Sequence, residues 1–374
     1  MQKTWIEVSR SALRKNIAAI LELVKPAKVM AVVKANAYGH GLVETSKAVQ
    51  DLTDWFGVDS LDEAAALRKN GIKKPILILG YIHPSDISKC ADLKCSFVAY
   101  NVDTLKEILK DRSKRQYRIH LKIETGTSRQ GLSGTELDAF ALKASKMKNV
   151  VIEGTYTHFA NIEDTTDPSY AMEQIRRFKT ELSRLKRLGI IPELIHAAST
   201  AGALLYSEAR FDMIRLGISL YGCWPSKEAH VAAKARRVHL DLAPALTWKT
   251  IVAQVKQIPR GTPVSYGLTE RVTRPSMIAV LPIGYFDGYD RKLSSIGRVL
   301  IHGRSCKVLG RVCMNMTVVD VTDVPNVKNG DEVVLLGSQK NASIPVEDLA
   351  AKAGTISYEF LARISQGIER IVVK

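Results

Sequence analysis

The sequence predicts an α/β protein built from a (β/α)8 TIM barrel followed by a mostly β C-terminal domain. Eight short apolar runs occur in the first two-thirds of the chain, and helical patterns separate most of them. After residue 236 the chain changes to β-rich runs separated at short intervals by Gly, Pro and Asn turns. We therefore expect a barrel domain over residues 9–236 and a β-rich domain over residues 237–374, which also takes in a strand at residues 1–8.

The barrel elements follow in order from residue 9. Ser9 or Ser11 caps a first helix whose apolar residues recur at helical spacing, and Pro26 ends it. The next run, 29–33, is continuously apolar, as in a strand buried on both faces. Seven more strands are predicted near residues 55–58, 76–80, 96–100, 118–123, 151–157, 194–197 and 213–216.

The β-rich domain is predicted from six further runs. They lie at residues 246–258, 277–282, 298–301, 307–309, 317–321 and 332–336. The run at residues 4–8 precedes the first barrel helix, and we expect it to pair with this domain.

Composition restricts the class of protein. The net charge is +16, but the basic residues of the helical stretch 176–187 alternate with Glu181 and leucines, which favours a solvated surface over a nucleic-acid interface. The five cysteines are sparse and odd in number, so neither a disulfide framework nor a metal site is expected. Without a signal-like or membrane-spanning apolar run, a cytoplasmic protein that binds neither membrane nor nucleic acid is expected.

Reactive side chains stand where several predicted barrel strands end. Active sites of this fold lie at the carboxyl ends of the strands. Strand one ends at Lys34, strand five contains Lys122 and leads to Arg129, strand six ends at His158, and strand eight contains Arg215. Each of them alone is more often a structural or solvated residue. Their occurrence at one rim favours an active site.

The predicted strands seven and eight lead into Ser199, Thr200, Gly217 and Ile218. A phosphate site after these two strands recurs in TIM barrels, and hydroxyl and backbone N–H groups suit a phosphate dianion. A lysine across the barrel suits covalent attachment of pyridoxal 5'-phosphate, and arginine is one of the partners used at its ring nitrogen.

Ordered motifs make the chain resemble the alanine racemase family over nearly its whole length. The most specific is Ala-Val-Val-Lys-Ala-Asn-Ala-Tyr-Gly-His-Gly at residues 31–41. Further matches lie at residues 122–129, 157–160, 215–218, 265–267, 283–289 and 310–314. The resemblance implies a pyridoxal phosphate-dependent isomerase that interconverts L- and D-alanine and supplies D-alanine as a cell-wall precursor.

The resemblance also implies a role for each site residue. Lys34 and Tyr266 are the two catalytic bases, and Lys34 also holds the cofactor. The phosphate contacts are Tyr38, Ser199, Thr200, Gly217, Ile218 and Tyr358. Arg215 faces the ring nitrogen and His158 supports it, while Arg129, Met314 and Tyr285 bind or admit the substrate. The family lysine that matches Lys122 is often carbamylated, and an unmodified Lys122 is the alternative. The family packs as a homodimer in which Tyr266, Tyr285 and Met314 complete the partner's site.

Three departures from the family pattern leave the substrate open. Asn315 replaces a common aspartate, Ser199 a frequent asparagine, and Leu268 a frequent arginine. A racemase that prefers serine or another small amino acid is one alternative. A non-catalytic pyridoxal phosphate-binding protein is another, although such proteins lack a β domain. A decarboxylase of the same architecture requires a Gly-rich phosphate loop and a cysteine-centred motif that the sequence does not contain.

Overall fold

The computed structural model describes residues 2–374, and the chain divides into two compact units. The barrel unit contains residues Ala12–Ala35 and Ser46–Ala243. The β-rich unit contains the N-terminal residues up to Ser11, Asn36–Thr45 and Pro244–Lys374. The division predicted from sequence, 9–236 and 237–374 with 1–8, differs from these units at Asn36–Thr45 and at the Pro244 boundary, and it stays a prediction.

Eight parallel strands close into a barrel, which confirms the predicted fold class. In chain order after β1 (Thr4–Ser9), which belongs to the β-rich unit, they are β2 (Lys28–Val32), β3 (Trp55–Val58), β4 (Ile76–Ile78), β5 (Ser96–Ala99), β6 (Tyr117–Lys122), β7 (Val150–Tyr156), β8 (Leu194–His196) and β9 (Met213–Leu216). Pairing of Lys28 with Met213 and of Met30 with Arg215 joins the last strand to the first. Strand β2 is almost wholly buried, as its continuous apolar run predicts.

Helices alternate with the barrel strands. They are α1 (Arg10–Val24), α2 (Lys34–Tyr38), α3 (Leu42–Val49), α4 (Leu61–Lys69), α5 (Ile87–Asp92), α6 (Val102–Lys110), α7 (Gly134–Ser145), α8 (Ser169–Arg187), α9 (Thr200–Leu205) and α10 (Lys227–Ala235). Side-chain caps begin several of them: Ser60 accepts from the N–H of Glu63, and Asn101 accepts from that of Thr104. Helix α8 buries Ile175 and Phe178 and leaves Arg176, Arg177 and Arg187 exposed, so these basic residues form a solvated face.

The β-rich unit contains three sheets, and two α-helices lie in its part after residue 244. Its further strands are β10 (Leu246–Ile251), β11 (Gln254–Ile258), β12 (Pro263–Val264), β13 (Glu270–Arg271), β14 (Ser276–Leu281), β15 (Arg298–Ile301), β16 (Arg304–Lys307), β17 (Thr317–Asp320), β18 (Glu332–Gln339), β19 (Ala342–Ile344) and β20 (Arg370–Val373). The largest sheet has the order β16–β15–β18–β10–β1–β20, with β19 paired to β18. The others are β11–β14–β17 and β12–β13. The helices are α11 (Val346–Ala353) and α12 (Ser357–Ala362).

One strand prediction in this unit is wrong by several residues. The run predicted at 307–309 is strand β16 at Arg304–Lys307, which pairs with β15 as a hairpin. The two turn residues, His302 and Gly303, both have positive φ, +54° and +80°, as a type I′ turn requires. The His-Gly dipeptide was the signal for this turn.

Two further features bear on the expected class of protein. Within residues 2–374, no helix combines the length and the apolar character that crossing a membrane requires. All five cysteines are free thiols.

Candidate active site

Lys34 lies two residues after the end of β2, at the start of an unusual turn. Its Nζ lies 3.3 Å from Oδ1 of Asp59, which follows strand β3. Residues Ala35 to Tyr38 all have positive φ, between +52° and +54°, so α2 is a left-handed helical turn. Left-handed helix is unfavourable for residues that carry a Cβ. The segment after the candidate lysine is therefore strained.

Arg215 is buried on β9 and donates to several acceptors at once. One guanidinium nitrogen, Nη1, donates to Nδ1 of His196 at 2.9 Å. The other, Nη2, donates to the carbonyl of Ala197 at 2.7 Å and that of Thr157 at 3.0 Å, and it lies 3.2 Å from Nδ1 of His158. Burial lowers the pKa of Arg215 to about 10, so the guanidinium stays charged at neutral pH.

His158 shares this charged environment. Burial, followed by the charge of Arg215, lowers the pKa of His158 well below its usual range, so its imidazole is neutral. Because arginine only donates, the Nδ1 of His158 accepts and the ring carries its proton on Nε2.

Lys122 ends strand β6 and is only 3% exposed. Its Nζ lies over the Tyr156 ring, 4.2 Å from the centroid, and the Arg215 guanidinium lies 5.1 Å from the same centroid. Burial lowers the pKa of Lys122 well below that of a free lysine, and the charges of Arg215 and Arg129 lower it further. The site therefore favours the neutral amine over the ammonium at this position.

The loop after β6 is shaped by one carboxylate. Glu124 accepts from the backbone N–H of Thr127 at 2.7 Å, and also from those of Gly126 and Arg129. Burial alone raises the pKa of Glu124, but these N–H groups outweigh burial and lower it. The loop is thus ordered from within, and the side chain of Arg129 is left exposed.

Two short segments after β8 and β9 form a candidate anion site. Ser199 caps α9 by position, but its hydroxyl makes no capping bond. The N–H of Gly217 donates to Oγ1 of Thr200 at 3.1 Å, which joins the two segments and leaves the hydroxyl hydrogen of Thr200 to donate elsewhere. Ile218 begins a 3₁₀ turn, whose first N–H groups have no partner within the turn.

Tyr266 lies in the β-rich unit and is 73% exposed. Its neighbour Ser265 has φ +64° and ψ −174°, a region that is essentially restricted to glycine. The Ser265 hydroxyl donates to the carbonyl of Arg311 at 2.6 Å and so holds this conformation.

Residues 311–314 also carry the other candidates of this unit. The N–H of Tyr285 donates to the carbonyl of Cys313, and that of Phe286 donates to the carbonyl of Met314, both at 3.0 Å. A Cβ at Gly284 would lie 2.1 Å from the Cys313 carbonyl oxygen, so only glycine allows this approach. Residues 311–314 therefore include Met314, bond to Tyr285 through its backbone, and bond to Ser265, the neighbour of Tyr266.

The last two predicted phosphate contacts also lie in the β-rich unit. The rings of Tyr38, in α2, and Tyr358, in α12, have centroids 6.1 Å apart and are tilted by 51°. Within the barrel unit, the contacts described above join Lys122, His158 and Arg215 around Tyr156.

Sequence reasoning missed four residues that organise the barrel site. They are Asp59 beside Lys34, Tyr156 beneath Lys122 and Arg215, and the buried pair His120 and His196. The two histidines lie inside predicted strands, and that position was the one available signal. No group of three or more His, Cys, Asp or Glu side chains able to hold a metal occurs in residues 2–374.

Known proteins match this chain over its full length. The alanine racemase N-terminal domain model matches residues 8–225, and the C-terminal domain model matches residues 245–372. The chain belongs to the alanine racemase family. The alanine racemase of Carboxydothermus hydrogenoformans is 41% identical over 100% of both chains. That of Symbiobacterium thermophilum is 39% identical over 99% of this chain and 97% of its own.

Solved alanine racemases share the fold. The enzyme from Bacillus anthracis with bound L-Ala-P has a TM-score of 0.93 at 33% identity, covering 100% of this chain and 96% of that chain. The enzyme from Streptomyces lavendulae has a TM-score of 0.93 at 30% identity, covering 100% and 98%.

Alanine racemases are pyridoxal phosphate-dependent isomerases, and the donor set here fits that cofactor. The Lys34 amine suits attachment of the aldehyde. The Thr200 hydroxyl and the N–H groups at Ile218 suit the phosphate. Arg215 is a buried, charged donor, which suits a ring nitrogen that accepts.

Proposed function

We propose that this chain interconverts L- and D-alanine by a two-base mechanism with Lys34 and Tyr266 on opposite faces of the substrate. The observation that carries the proposal is the placement of Lys34 and Arg215. Lys34 follows β2, and Arg215 lies on β9, the strand that pairs with β2. The amine and the buried guanidinium therefore belong to one rim of the barrel.

The barrel residues bind and orient the reactants. Lys34 holds the cofactor, and Thr200, Ser199, Gly217 and Ile218 hold its phosphate together with Tyr38 and Tyr358. Pyridoxal phosphate supplies the electron sink that makes the α-proton of the amino acid removable. Arg215 donates an N–H to the ring nitrogen and keeps that nitrogen unprotonated. His158 fixes Arg215. Arg129 binds the substrate carboxylate, with the Met314 backbone, and Tyr285 lines the entrance.

Racemisation requires a proton to leave one face of the α-carbon and another to arrive at the opposite face. A single base tends to return the proton to the face it came from. Two bases on opposite faces avoid this outcome, with the Lys34 amine on one side and the Tyr266 hydroxyl on the other. The exposure of Tyr266 and the strained backbone of its neighbour Ser265 support this role, since backbone strain concentrates at functional sites.

Lys122 is proposed to carry a carbamate. A neutral amine attacks the carbon of CO₂, an N–C bond forms, and one proton leaves to solvent. The lowered pKa of Lys122 supplies the neutral amine. The product is an anion beside Arg215 and Arg129, and both positive charges attract it.

The active form is proposed to be a cytoplasmic homodimer whose sites are shared between subunits. In this arrangement Tyr266, Tyr285 and Met314 complete the partner's barrel site. Their exposure supports it: Tyr266 is 73%, Tyr285 42% and Met314 53% exposed, and Phe286 beside them is 70% exposed. Contiguous exposed apolar side chains mark protein interfaces or ligand sites.

The proposed function is tested by incubating the holoenzyme with L-alanine in deuterium oxide. We expect D-alanine to form with deuterium at the α-carbon. Tyr266→Phe is expected to retain the cofactor and to lose racemisation. Racemisation of L-serine but not of L-alanine would move the substrate and implicate Asn315, Ser199 or Leu268. A cofactor held at Lys34 without exchange for any small amino acid would identify a non-catalytic binding protein.

A further inference from the structure

A network of buried side chains, here called the Arg215–Glu153 network, connects Arg215 through two histidines to a carboxylate. Arg215 Nη1 lies 2.9 Å from Nδ1 of His196, and Nε2 of His196 lies 2.9 Å from Nδ1 of His120. Nε2 of His120 lies 3.4 Å from Oε2 of Glu153. Both histidines are fully buried, and the Glu153 side chain is 11% exposed. The resemblance to known enzymes assigned no role to His120, His196 or Glu153.

The donors and acceptors of the Arg215–Glu153 network fit together in only one way. Arginine has no acceptor, so Nδ1 of His196 accepts and its proton is on Nε2. That proton is donated to Nδ1 of His120, whose own proton is therefore also on Nε2. This last N–H is buried without a hydrogen-bond partner, and the contact that faces it is the Glu153 carboxylate. Burial lowers the pKa of both histidines, so both are neutral.

The backbone is adapted to place Glu153 beside His120. The pairing of β6 with β7 shifts there: Ile119 pairs with Ile152, but His120 pairs with Gly154. Glu153 is the extra residue of a β-bulge, and bulges re-aim side chains. Next to it, a Cβ at Gly154 would lie 2.4 Å from Nδ1 of His120. Glycine thus leaves room for the His120 ring over the strand.

Aromatic rings and polar groups hold the histidines and the carboxylate of the Arg215–Glu153 network in place. The His196 ring stacks on Tyr156 at 4.8 Å, with 2° between the planes, and His120 packs edge-on against Trp55 at 5.5 Å. Glu153 also accepts from Ser96 and, at 2.9 Å, from Arg118. Burial alone raises the pKa of Glu153, but the facing His120 ring and the bond from Ser96 outweigh burial and lower it, so the carboxylate is charged.

We propose that Glu153, His120 and His196 are positioning residues that hold Arg215 from the barrel interior. The carboxylate fixes the proton of His120 on Nε2, this fixes the proton of His196 on Nε2, and the bare Nδ1 of His196 then anchors the guanidinium. None of the three contacts the reacting atoms. The inference rests on the proposed role of Arg215 at the cofactor ring, but the proton positions are measurable without activity.

The first experiment measures the histidine tautomers. Holoenzyme labelled with ¹⁵N-histidine is examined by long-range ¹H–¹⁵N correlation, and single histidine replacements assign the signals. We expect His120 and His196 to be neutral with the proton on Nε2. In Arg215→Met the same tautomers are expected, because Glu153 still fixes the protons of His120 and His196. A proton on Nδ1 of His196, or mixed tautomers in Arg215→Met, would overturn the role of Glu153.

The second experiment measures catalysis in variants that disturb the Arg215–Glu153 network. Glu153→Gln and Gly154→Ala are expected to lower kcat by about tenfold, as for other groups that orient a site residue from behind. The KM for alanine should change by less than about twofold, because the substrate carboxylate contacts other residues. Asp138→Asn is the matched control, since Asp138 forms a partly buried ion pair with Arg184 at 2.7 Å, and neither residue belongs to the Arg215–Glu153 network.

The control should keep its kcat. An unchanged kcat in Glu153→Gln, with the tautomers of the wild type, would contradict the proposal. If the wild-type holoenzyme racemises nothing, the proposed function fails, and the tautomer measurement still decides the inference.

Discussion

Lys122 is a residue at which burial and charge act in the same direction. Removing an ammonium from water favours the neutral amine, and the neighbouring Arg215 and Arg129 favour it again. The Glu124 carboxylate acts in the opposite direction and raises the pKa of Lys122, but its oxygens already accept hydrogen bonds from backbone N–H groups of its own loop. Chemistry that converts this amine into an anion is therefore favoured electrostatically.

The carbamate at Lys122 is testable with labelled carbonate. Holoenzyme equilibrated with ¹³C-bicarbonate should show one carbamate carbon resonance, because burial and the charges of Arg215 and Arg129 favour the neutral amine that reacts with CO₂. Lys122→Gln should lack that resonance, and removal of dissolved CO₂ from the wild type should lower its activity. A wild-type spectrum without the resonance would mean that Lys122 is unmodified.

Ser265 keeps Tyr266 in place at the cost of a strained backbone. Ser265→Ala keeps the strain and removes the bond to the Arg311 carbonyl, so we expect about 1 kcal/mol less stability and a lower kcat. Ser276→Ala removes a comparable bond, from Oγ to the Arg274 carbonyl at 2.9 Å, at the start of β14 and outside the segment that carries Tyr266. It should lose similar stability but keep its kcat. Equal kcat in both variants would separate Ser265 from catalysis.

At the scale of the element, the left-handed turn at residues 35–38 makes an opposite prediction to ordinary helix rules. Ala35 is exposed, so its replacement tests the backbone alone. Ala35→Gly should raise the melting temperature, because it removes about 1–2 kcal/mol of left-handed strain against a smaller entropic loss. Ala35→Val should lower it. Ala65→Gly, in the middle of the right-handed α4, is the control and should cost about 1 kcal/mol. Destabilisation by Ala35→Gly would contradict the assigned strain.

Histidines in and beside the barrel strands are neutral in the folded protein, and this predicts how stability depends on pH. The folded pKa values of His120, His158 and His196 lie below the unfolded value of about 6.5. Below that pH the unfolded chain binds protons that the folded chain does not. Stability should therefore fall as pH decreases from 7 to 5, by up to about 1.4 kcal/mol per pH unit for each histidine. Urea titrations should show a shallower dependence for His196→Gln; equal slopes would exclude His196 as a source.

The elements differ in how far sequence alone predicts them. The barrel strands were predictable because each is a short apolar run between helical patterns, and Lys34 and Arg215 were identifiable as polar residues in such runs. The left-handed turn was not, since Ala-Asn-Ala-Tyr favours no left-handed conformation by itself. Nor was the link between Glu153 and His120, because it depends on a bulge that shifts register by one residue.

At the scale of the whole molecule, the candidate site residues are divided between the two units. The barrel unit holds Lys34, Lys122, His158 and Arg215, whereas the β-rich unit holds Tyr266, Tyr285 and Met314. The apolar side chains of the second group are exposed, which is unfavourable in water unless another surface covers them. A symmetric dimer in which each β-rich unit completes the partner's site accounts for both facts.

Mixing inactive variants tests this division directly. Lys34→Ala and Tyr266→Phe each disable both sites of their own homodimer. If Tyr266 acts in the partner's site, a mixed dimer has one intact site, and an equal mixture with half its dimers mixed should recover about a quarter of wild-type activity. Lys34→Ala mixed with Arg129→Ala is the control. Both residues belong to one barrel, so no intact site can form and no activity should return. Failure of the first mixture to recover, once subunit exchange has been demonstrated, would place Lys34 and Tyr266 in the same subunit's site.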